Sequence, residues 1–317
     1  MKNRIGFLTC LTIGDAFGRS FEFATKEAIE KNLDIKNYSP CVGKYPDEEG
    51  GNIGRYTDDT QMSIAIAEHM LMEYSISHDF YAASFLQTYN RDKRGGYSKR
   101  IKKVLDTSLN VADFHNHIGD LVPRNSNGSV MRCLPLGLYP DVKQLKHACV
   151  IQTTVTHPTI ECITATTAVA LSVHYLYYNI QRSYISWMSE QMGQANFFKV
   201  FDTYTLGDEV KCDALETASF CLNLIFRSSR FTPEMSKVKF DKMSQILTEC
   251  IQVGGDTDST AAICLGLASI KGIKNDLNEN LFNNLENGTY GRDYIVGLEE
   301  KLLKKFNNKI VQNGFII

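Results

Sequence analysis

Apolar side chains recur every three or four residues along most of the chain, which is the spacing of one face of an α-helix. Residues 60–74 show it clearly, with Met62, Ile66, Met70 and Leu71 on one such stripe. Strict alternation of apolar and polar residues, which is typical of strands, is scarce. The pattern therefore predicts an all-α fold. The predicted helices cover residues 60–74, 78–90, 141–152, 160–178, 213–227, 240–252, 260–270 and 293–306.

Glycine, proline and polar clusters interrupt the helical pattern, and we predict loops at these places. The loops cover residues 34–56, 91–97, 113–128 and 203–212. The first is long for a connection without secondary structure, and loops of that length are often functional. Because no flexible linker divides the chain, we predict a single compact helical domain over residues 1–317, with about a dozen helices.

The composition is that of a globular protein, with 43% apolar and 22% charged residues. The net charge of -2 favours neither a general nucleic-acid binder nor a binder of anionic membranes. No apolar stretch approaches the ~18 residues that a bilayer-spanning helix needs. The run from Ile5 to Ile13 follows basic residues as in a signal peptide, but Asp15 comes directly after it and no cleavage site follows. We therefore predict no signal peptide and no membrane association.

The chain has nine cysteines and no Cys-x-x-Cys pair. Most lie in apolar runs, as Cys264 does between Ile263 and Leu265. This odd, scattered set predicts the reduced core thiols of a cytoplasmic protein. It argues against a disulfide scaffold and against a zinc site made of thiolates.

Two short segments rich in carboxylates and hydroxyls each run into an apolar helix. The first acidic block is Gly54-Arg55-Tyr56-Thr57-Asp58-Asp59-Thr60, and the second is Gly254-Gly255-Asp256-Thr257-Asp258-Ser259-Thr260. One interpretation is helix capping, in which these side chains accept hydrogen bonds from the N–H groups of a first turn. Capping requires one acceptor, however, and each block supplies several.

A metal site is the second interpretation of the acidic blocks. Carboxylates close together repel one another unless cations neutralise them. Oxygen ligands without nearby histidine or cysteine suit Mg²⁺, Mn²⁺ or Ca²⁺ rather than Zn²⁺. Carboxylates from both blocks could hold two such ions, provided that the fold brings the blocks together.

Five motifs occur in order over residues 5–270. They are Gly14-Asp15-Ala16-Phe17-Gly18 with Glu22, the first acidic block, Asn127-Gly128-Ser129-Val130-Met131-Arg132, Thr156-His157, and the second acidic block. Together they resemble the ADP-ribosylglycohydrolase family, which includes the glycohydrolase that reactivates dinitrogenase reductase. The family fold is a compact all-α domain, in agreement with the helical periodicity.

The resemblance implies a site with two Mg²⁺ or Mn²⁺ ions. Thr57, Asp58 and Asp59 would be ligands from the first block, and Asp256, Asp258 and Ser259 from the second. The ions would bind the cis-diol of a ribose and activate a water that attacks the anomeric carbon, so that ADP-ribose is the product. Glu22, Asp58 and Asp258 would be catalytic, with Glu22 an added acid, base or gating group. Alternatively, Glu22 is an ordinary surface glutamate with no role in the site.

The resemblance also implies a substrate-binding set. Its members are Gly96, Tyr97, Asn127, Gly128, Ser129, Met131 and His157. The loop Asn127–Ser129 would hold a pyrophosphate or a ribose with its N–H groups. Each residue has a structural alternative: an ordinary Asn-Gly turn for the loop, core packing for Met131, and a structural role for His157.

Residues 94–100 depart from many relatives, which carry a catalytic aspartate there. The stretch reads Arg94-Gly95-Gly96-Tyr97-Ser98-Lys99-Arg100. It contains no acid, although one branch of the family has a Gly-Tyr pair at this point. The resemblance therefore leaves open which residue is the general acid or base.

The predicted function is metal-dependent hydrolysis that releases ADP-ribose from a modified protein or small molecule. An arginine acceptor is favoured because loop 34–56 carries Asp47, Glu48 and Glu49, while the basic side chains of residues 94–103 are expected to be solvated. The family's best-known members also act on ADP-ribosylarginine. Serine, acyl and nucleic-acid acceptors stay open. The alternatives are a non-catalytic ADP-ribose-binding or crystallin-like member, and a di-metal hydrolase of another substrate such as a phosphate ester.

Overall fold

The computed structural model describes residues 6–43, 53–204, 207–226 and 240–312, and the prediction of an all-α fold is confirmed. Within these ranges there are fifteen α-helices, three short 3₁₀ helices and no sheet, only isolated β-bridges. The α-helices are α1 Phe7–Gly18, α2 Lys26–Asn32, α3 Asp58–Leu71, α4 His78–Arg91, α5 Lys99–Thr107, α6 Val111–Gly119, α7 Val142–Thr154, α8 Ile160–Tyr177, α9 Tyr184–Met192, α10 Gln194–Phe201, α11 Ala214–Phe226, α12 Met243–Val253, α13 Thr257–Lys271, α14 Glu279–Asn283 and α15 Arg292–Gln312. The 3₁₀ helices are Arg19–Phe21, Asn127–Ser129 and Leu134–Leu138.

All eight predicted helices are present, and most of the missed helices are short. The prediction of a loop over residues 113–128 is wrong in its first part, which belongs to α6. The side chain of Asn110 accepts a hydrogen bond from the N–H of Asp113 at 2.9 Å, and Phe114 is buried. A cap and one buried aromatic residue are enough to stabilise two turns here, and two turns are too short to show a hydrophobic period.

Helices α1 and α13 pack against each other more extensively than any other pair, and both are almost wholly buried. Their backbones touch because α1 has glycine at positions 14 and 18. A methyl group at Gly14 would overlap the carbonyl oxygen of Ala261, and one at Gly18 would overlap that of Thr257. This contact places Asp15, between the two glycines, beside the first turn of α13.

The C-terminal helix α15 packs on α1 and α3 and closes the buried start of α1. The carboxylate of Glu299 accepts hydrogen bonds from the N–H groups of Leu8, at 3.0 Å, and Thr9, at 3.3 Å. Glu299 is 4% exposed, so this buried acid supplies the cap that Gly6, which has no side chain, cannot provide.

The described cysteines agree in most cases with the expectation of core thiols. None of them is in a disulfide, and seven are buried. The exceptions are Cys41, which is half-buried, and Cys212, which is exposed. Within the described ranges, no helix has the length and apolar character that crossing a bilayer would require.

Candidate active site

The first turns of α3 and α13 meet in one cavity, so the fold brings the two acidic blocks together. The cavity has a volume of about 790 Å³, within the range of roughly 300–1,000 Å³ that is common for ligand pockets. Its lining includes every predicted site residue except Ser129: Glu22, Thr57, Asp58, Asp59, Gly96, Tyr97, Asn127, Gly128, Met131, His157, Asp256, Asp258 and Ser259.

Asp15 holds the first acidic block in place from α1. Its carboxylate accepts hydrogen bonds from the backbone N–H groups of Thr57 and Thr60, each at 3.0 Å. It also accepts the two threonine hydroxyls, at 2.7 Å and 2.6 Å. Asp15 is fully buried, and these donors supply the hydrogen bonds that a buried carboxylate needs.

The first turn of α3 is thus capped by a residue from another helix. The N-cap residues of the two blocks, Thr57 and Asp256, make no capping hydrogen bond with their own side chains. In the second block, Asp258 accepts the N–H of its neighbour Ser259 at 2.9 Å. Helix capping therefore accounts for little of the acidic content of the blocks, and that interpretation is wrong for the first block.

The acidic side chains form two overlapping groups. Asp15, Asp59 and Asp258 offer carboxylate oxygens that lie within 4.8 Å of one another, and so do Glu22, Asp256 and Asp258. Asp258 belongs to both groups. A buried cluster of this kind could hold a divalent metal ion.

Burial makes this cluster costly when no cation is bound. Burial first, and then repulsion from neighbouring carboxylates, raises the pKa of Asp58, Asp59 and Asp258 well above the ordinary value. Asp59 Oδ1 is buried and has no hydrogen-bond partner among the described residues. A buried carboxylate oxygen without a donor leaves room for a cation as its partner. Hard oxygen ligands in this number fit Mg²⁺ or Mn²⁺.

A strained residue places Glu22 beside the second acidic block. Phe23 has a positive φ of 52°, and its N–H donates to the carbonyl oxygen of Gly255 at 2.7 Å. A bulky residue pays a conformational cost for that backbone, which the hydrogen bond helps to offset. Burial and the nearby carboxylates, Asp256 foremost, raise the pKa of Glu22 to about 9.

Asn127 supports the second block through its side chain. Its amide Nδ2 donates to Asp256 Oδ2 at 2.7 Å and to the hydroxyl of Thr217 at 3.1 Å. The neighbouring Ser129 is fully buried, and its hydroxyl pairs with Thr166 at 3.0 Å. The Asn127–Ser129 turn is therefore packed into the floor of the site.

A chain of hydrogen bonds links His157 to Arg132. Arg132 donates to the hydroxyl of Thr156 at 2.7 Å, and that hydroxyl lies 2.7 Å from His157 Nδ1. The threonine hydroxyl therefore joins the Arg132 guanidinium to the His157 ring. Burial and the charges of Arg132 and Arg100 lower the pKa of His157 to about 3. The ring packs on Gly128, where an added methyl group would lie 2.7 Å from Cε1.

The Gly-Tyr pair forms a wall of the cavity over the first block. Gly96 has φ of 97°, and a methyl group there would overlap Asp58 Oδ1. The hydroxyl of Tyr97 donates to Gln61 Oε1 at 2.7 Å. Lys99 also lines the cavity. Asp47, Glu48 and Glu49 lie outside the described residues.

The structure adds three residues that the candidate set did not contain. Asp15 anchors the first block, Arg132 is linked to His157 through Thr156, and Cys212 lines the cavity. The sequence held a signal for Asp15, since a charge inside the apolar run 7–18 has to be satisfied by something. Cys212 carried no such signal.

The chain is similar to known proteins in its sequence and in its fold. A family model described as ADP-ribosylglycohydrolase matches residues 2–311. A solved structure described as an ADP-ribosylglycohydrolase-related protein complex is similar over 95% of this chain and 96% of that chain, with a TM-score of 0.62 and 19% identity. At that identity the likeness is one of fold. A search of the curated proteins found no match.

The residues that match the family model include the residues that form the cavity. Residues 2–311 contain all five motifs, both acidic blocks and every residue that lines the cavity. The solved structure has the same all-α architecture over nearly its full length. This chain belongs to the ADP-ribosylglycohydrolase family.

Proposed function

We propose that this protein is a metal-dependent hydrolase that releases ADP-ribose from a mono-ADP-ribosylated acceptor. Membership of the family supports a glycohydrolase. The observation that carries the metal dependence is that Asp59 and Asp256 each lie in a carboxylate group with Asp258, and that one oxygen of Asp59 is left without a partner. Neither capping nor ion pairing explains that cluster.

The acidic blocks would hold two Mg²⁺ or Mn²⁺ ions. Asp59, Asp256 and Asp258 are the ligands we propose, joined by Asp58 and by the hydroxyls of Thr57 and Ser259. Thr57 gives its proton to Asp15, which leaves its oxygen lone pairs for a cation. Bound there, the ions would orient the cis-diol of a ribose and lower the pKa of a water molecule.

The other side chains would handle the proton and the substrate. Glu22 holds a proton at neutral pH in the metal-free protein, so it is the group we assign to proton transfer at the glycosidic bond. Positive charge builds on the sugar ring as that bond breaks, and the surrounding carboxylates stabilise it. His157, which lines the cavity, would contact the substrate.

We propose ADP-ribosylarginine in protein as the acceptor linkage. A cationic guanidinium leaving group has to leave past the basic residues near the Gly-Tyr pair. Carboxylates neutralise several of these basic side chains in the fold. Arg94 is buried between Asp92 and Glu286, and Lys93 and Lys102 both pair with Asp106. The expectation that Arg94 is solvated is wrong, because these carboxylates satisfy it inside the protein.

Release of free ADP-ribose tests the proposal directly. The purified protein is incubated with matched arginine-, serine- and DNA-linked ADP-ribose, in Mg²⁺ and in excess chelator. The proposal expects release from the arginine conjugate in Mg²⁺ alone. Release from another conjugate only would overturn the acceptor, and equal release in chelator would overturn the metal. Binding of ADP-ribose without cleavage of any conjugate would favour the non-catalytic alternative.

A further inference from the structure

An ion-pair cluster lies at the edge of the cavity, where Arg94 is one of the lining residues, and we call it the Arg94 clamp. It consists of Arg94, Asp92 and Glu286. The side chain of Arg94 is 2% exposed. It donates to Asp92 Oδ2 from Nε at 2.8 Å and from Nη2 at 2.7 Å, and it also donates to both oxygens of Glu286. One guanidinium thus bridges two carboxylates that lie far apart in the sequence.

Tyr56 of the first acidic block covers the clamp. The guanidinium carbon of Arg94 lies 3.8 Å from the centre of the Tyr56 ring. The hydroxyl of Tyr56 donates to the carbonyl oxygen of Tyr290 at 2.8 Å, and the N–H of Glu286 donates to that of Gly54 at 2.9 Å. The segment before α15 and the segment before α3 are therefore tied together around Arg94.

The clamp fixes the chain just before the Gly-Tyr pair. Gly95 and Gly96 follow Arg94 directly, and neither has a side chain that could hold this stretch by itself. Gln61 of α3 donates to the carbonyl oxygen of Asp92 and accepts from the hydroxyl of Tyr97, so it grips the segment on both sides. Between these anchors the backbone of Gly96 lies against Asp58.

We propose that Arg94 is a positioning residue for substrate binding, acting through residues 95–98. A buried ion pair contributes little net stability, because desolvation offsets the attraction. A planar guanidinium that bridges two carboxylates does, however, hold the backbone of its own residue in one position. The clamp would therefore hold the wall over Asp58 at the distance that the ribose and its acceptor require. This inference rests on the proposed function for the identity of the ligand, but not for the position of the wall.

Arg91 provides a matched control on the neighbouring helix α4. It pairs with Glu68 at 2.6 Å, and its guanidinium lies 4.1 Å from the centre of the Tyr290 ring. It thus joins the same region before α15 by the same kind of contacts, but it does not line the cavity. Arg91→Lys and Arg94→Lys both keep the positive charge and remove the planar guanidinium. A difference between the two variants in exchange or binding therefore reports on the wall.

The test compares wild type, Arg94→Lys, Glu286→Gln and Arg91→Lys by hydrogen exchange of peptides covering residues 95–98 and by calorimetric binding of ADP-ribose in Mg²⁺. Mn²⁺ binding followed by electron paramagnetic resonance serves as the metal readout. Glu286→Gln keeps an acceptor for Arg94 and remains informative if Arg94→Lys fails to fold.

We expect faster exchange at residues 95–98 and about tenfold weaker ADP-ribose binding in the clamp variants, with Mn²⁺ affinity unchanged and Arg91→Lys like wild type. Wild-type exchange and affinity in both clamp variants would overturn the inference. Equal losses in Arg91→Lys would also overturn it, because general destabilisation would then explain them. If wild type binds no ADP-ribose, the proposed function fails, while the exchange comparison still decides whether the clamp positions the wall.

Discussion

The carboxylate of Asp15 accepts both the backbone N–H and the hydroxyl of Thr57, at 3.0 Å and 2.7 Å, across 42 residues of sequence. Through this pair, the most buried helix of the fold caps the helix that carries the first acidic block. The carboxylates of that block do not have to cap their own first turn, so they are left for a cation. Structure and proposed chemistry are linked at this one contact.

Replacing Asp15 tests that link. Asp15→Asn keeps the size but places amide hydrogens against donors, so hydrogen bonds to Thr57 and Thr60 are lost inside the protein. We expect the free energy of unfolding to fall by about 1–3 kcal/mol, and Mn²⁺ affinity to fall as the first turn of α3 loosens. Thermal melting and Mn²⁺ titration measure the two effects. Unchanged Mn²⁺ binding would show that the cap does not position the ligands.

An isosteric substitution distinguishes a metal-binding role of the acidic blocks from a structural one. Asp256→Asn and Asp58→Asn should each lower turnover by roughly 100-fold or more, because an amide binds a divalent cation far more weakly than a carboxylate does. The fold should survive, because Asn has the shape of Asp and removes one negative charge from a cluster of mutually repelling carboxylates. Circular dichroism and ADP-ribose release are measured in parallel. Variants with nearly full activity would return the blocks to a structural role.

Glu22 is expected to act on the proton and not on the metal. Glu22→Gln preserves the hydrogen-bonding shape but cannot exchange a proton, so kcat should fall by roughly 100-fold or more with little change in Mn²⁺ affinity or KM. Steady-state kinetics with an ADP-ribosylated substrate gives the comparison. Wild-type kcat in Glu22→Gln would remove this residue from the proposed mechanism.

Two adjacent glycines offer a sharp contrast. In Gly96→Ala the new methyl group would overlap Asp58 Oδ1, and the backbone has a positive φ of 97°. At Gly95 nothing lies within 4 Å of an added methyl group. We expect Gly96→Ala to lose most of the activity, because Asp58 or the wall has to shift, and Gly95→Ala to retain it. Similar activity in the two variants would contradict the close approach of the wall to the metal site.

Metal-free protein should lose stability as the pH rises. The pKa of Glu22 is raised from an ordinary 4.5 to about 9, so its proton favours the folded state. That contribution is complete below pH 4.5 and disappears as the pH passes the folded value. Asp58, Asp59 and Asp258 act in the same direction.

The measurement is the melting temperature between about pH 7 and about pH 8, with chelator and with Mg²⁺, because buried thiols add a fall of the same sign at higher pH. This range lies above the titration of the buried histidines in the unfolded chain. We expect a steady fall in chelator and a flatter curve in Mg²⁺, since bound cations stabilise ionised carboxylates. A melting temperature that does not change with pH in chelator would mean that burial and mutual repulsion do not raise the pKa values of these carboxylates in the metal-free fold.

The sequence by itself determined the fold class, the long helices and the residues of both acidic blocks. A long amphipathic or buried helix carries its period in the chain, and so residues 160–178 and 213–227 could be assigned without a structure. Short helices such as α6 depend on one cap and one buried ring, which no period reveals. The five ordered motifs also pointed to the family, because each holds its residues at a fixed local spacing.

Only the tertiary structure decided how the blocks are used. Whether Asp58 and Asp256 meet depends on the close packing of α1 on α13, which is a contact between distant segments. Whether Arg94 is solvated depends on Glu286, which approaches it from the segment before α15. Burial and hydrogen bonding between distant residues set the pKa of a carboxylate and the partner of a charge. Local sequence contains neither quantity, because both arise from the folded environment.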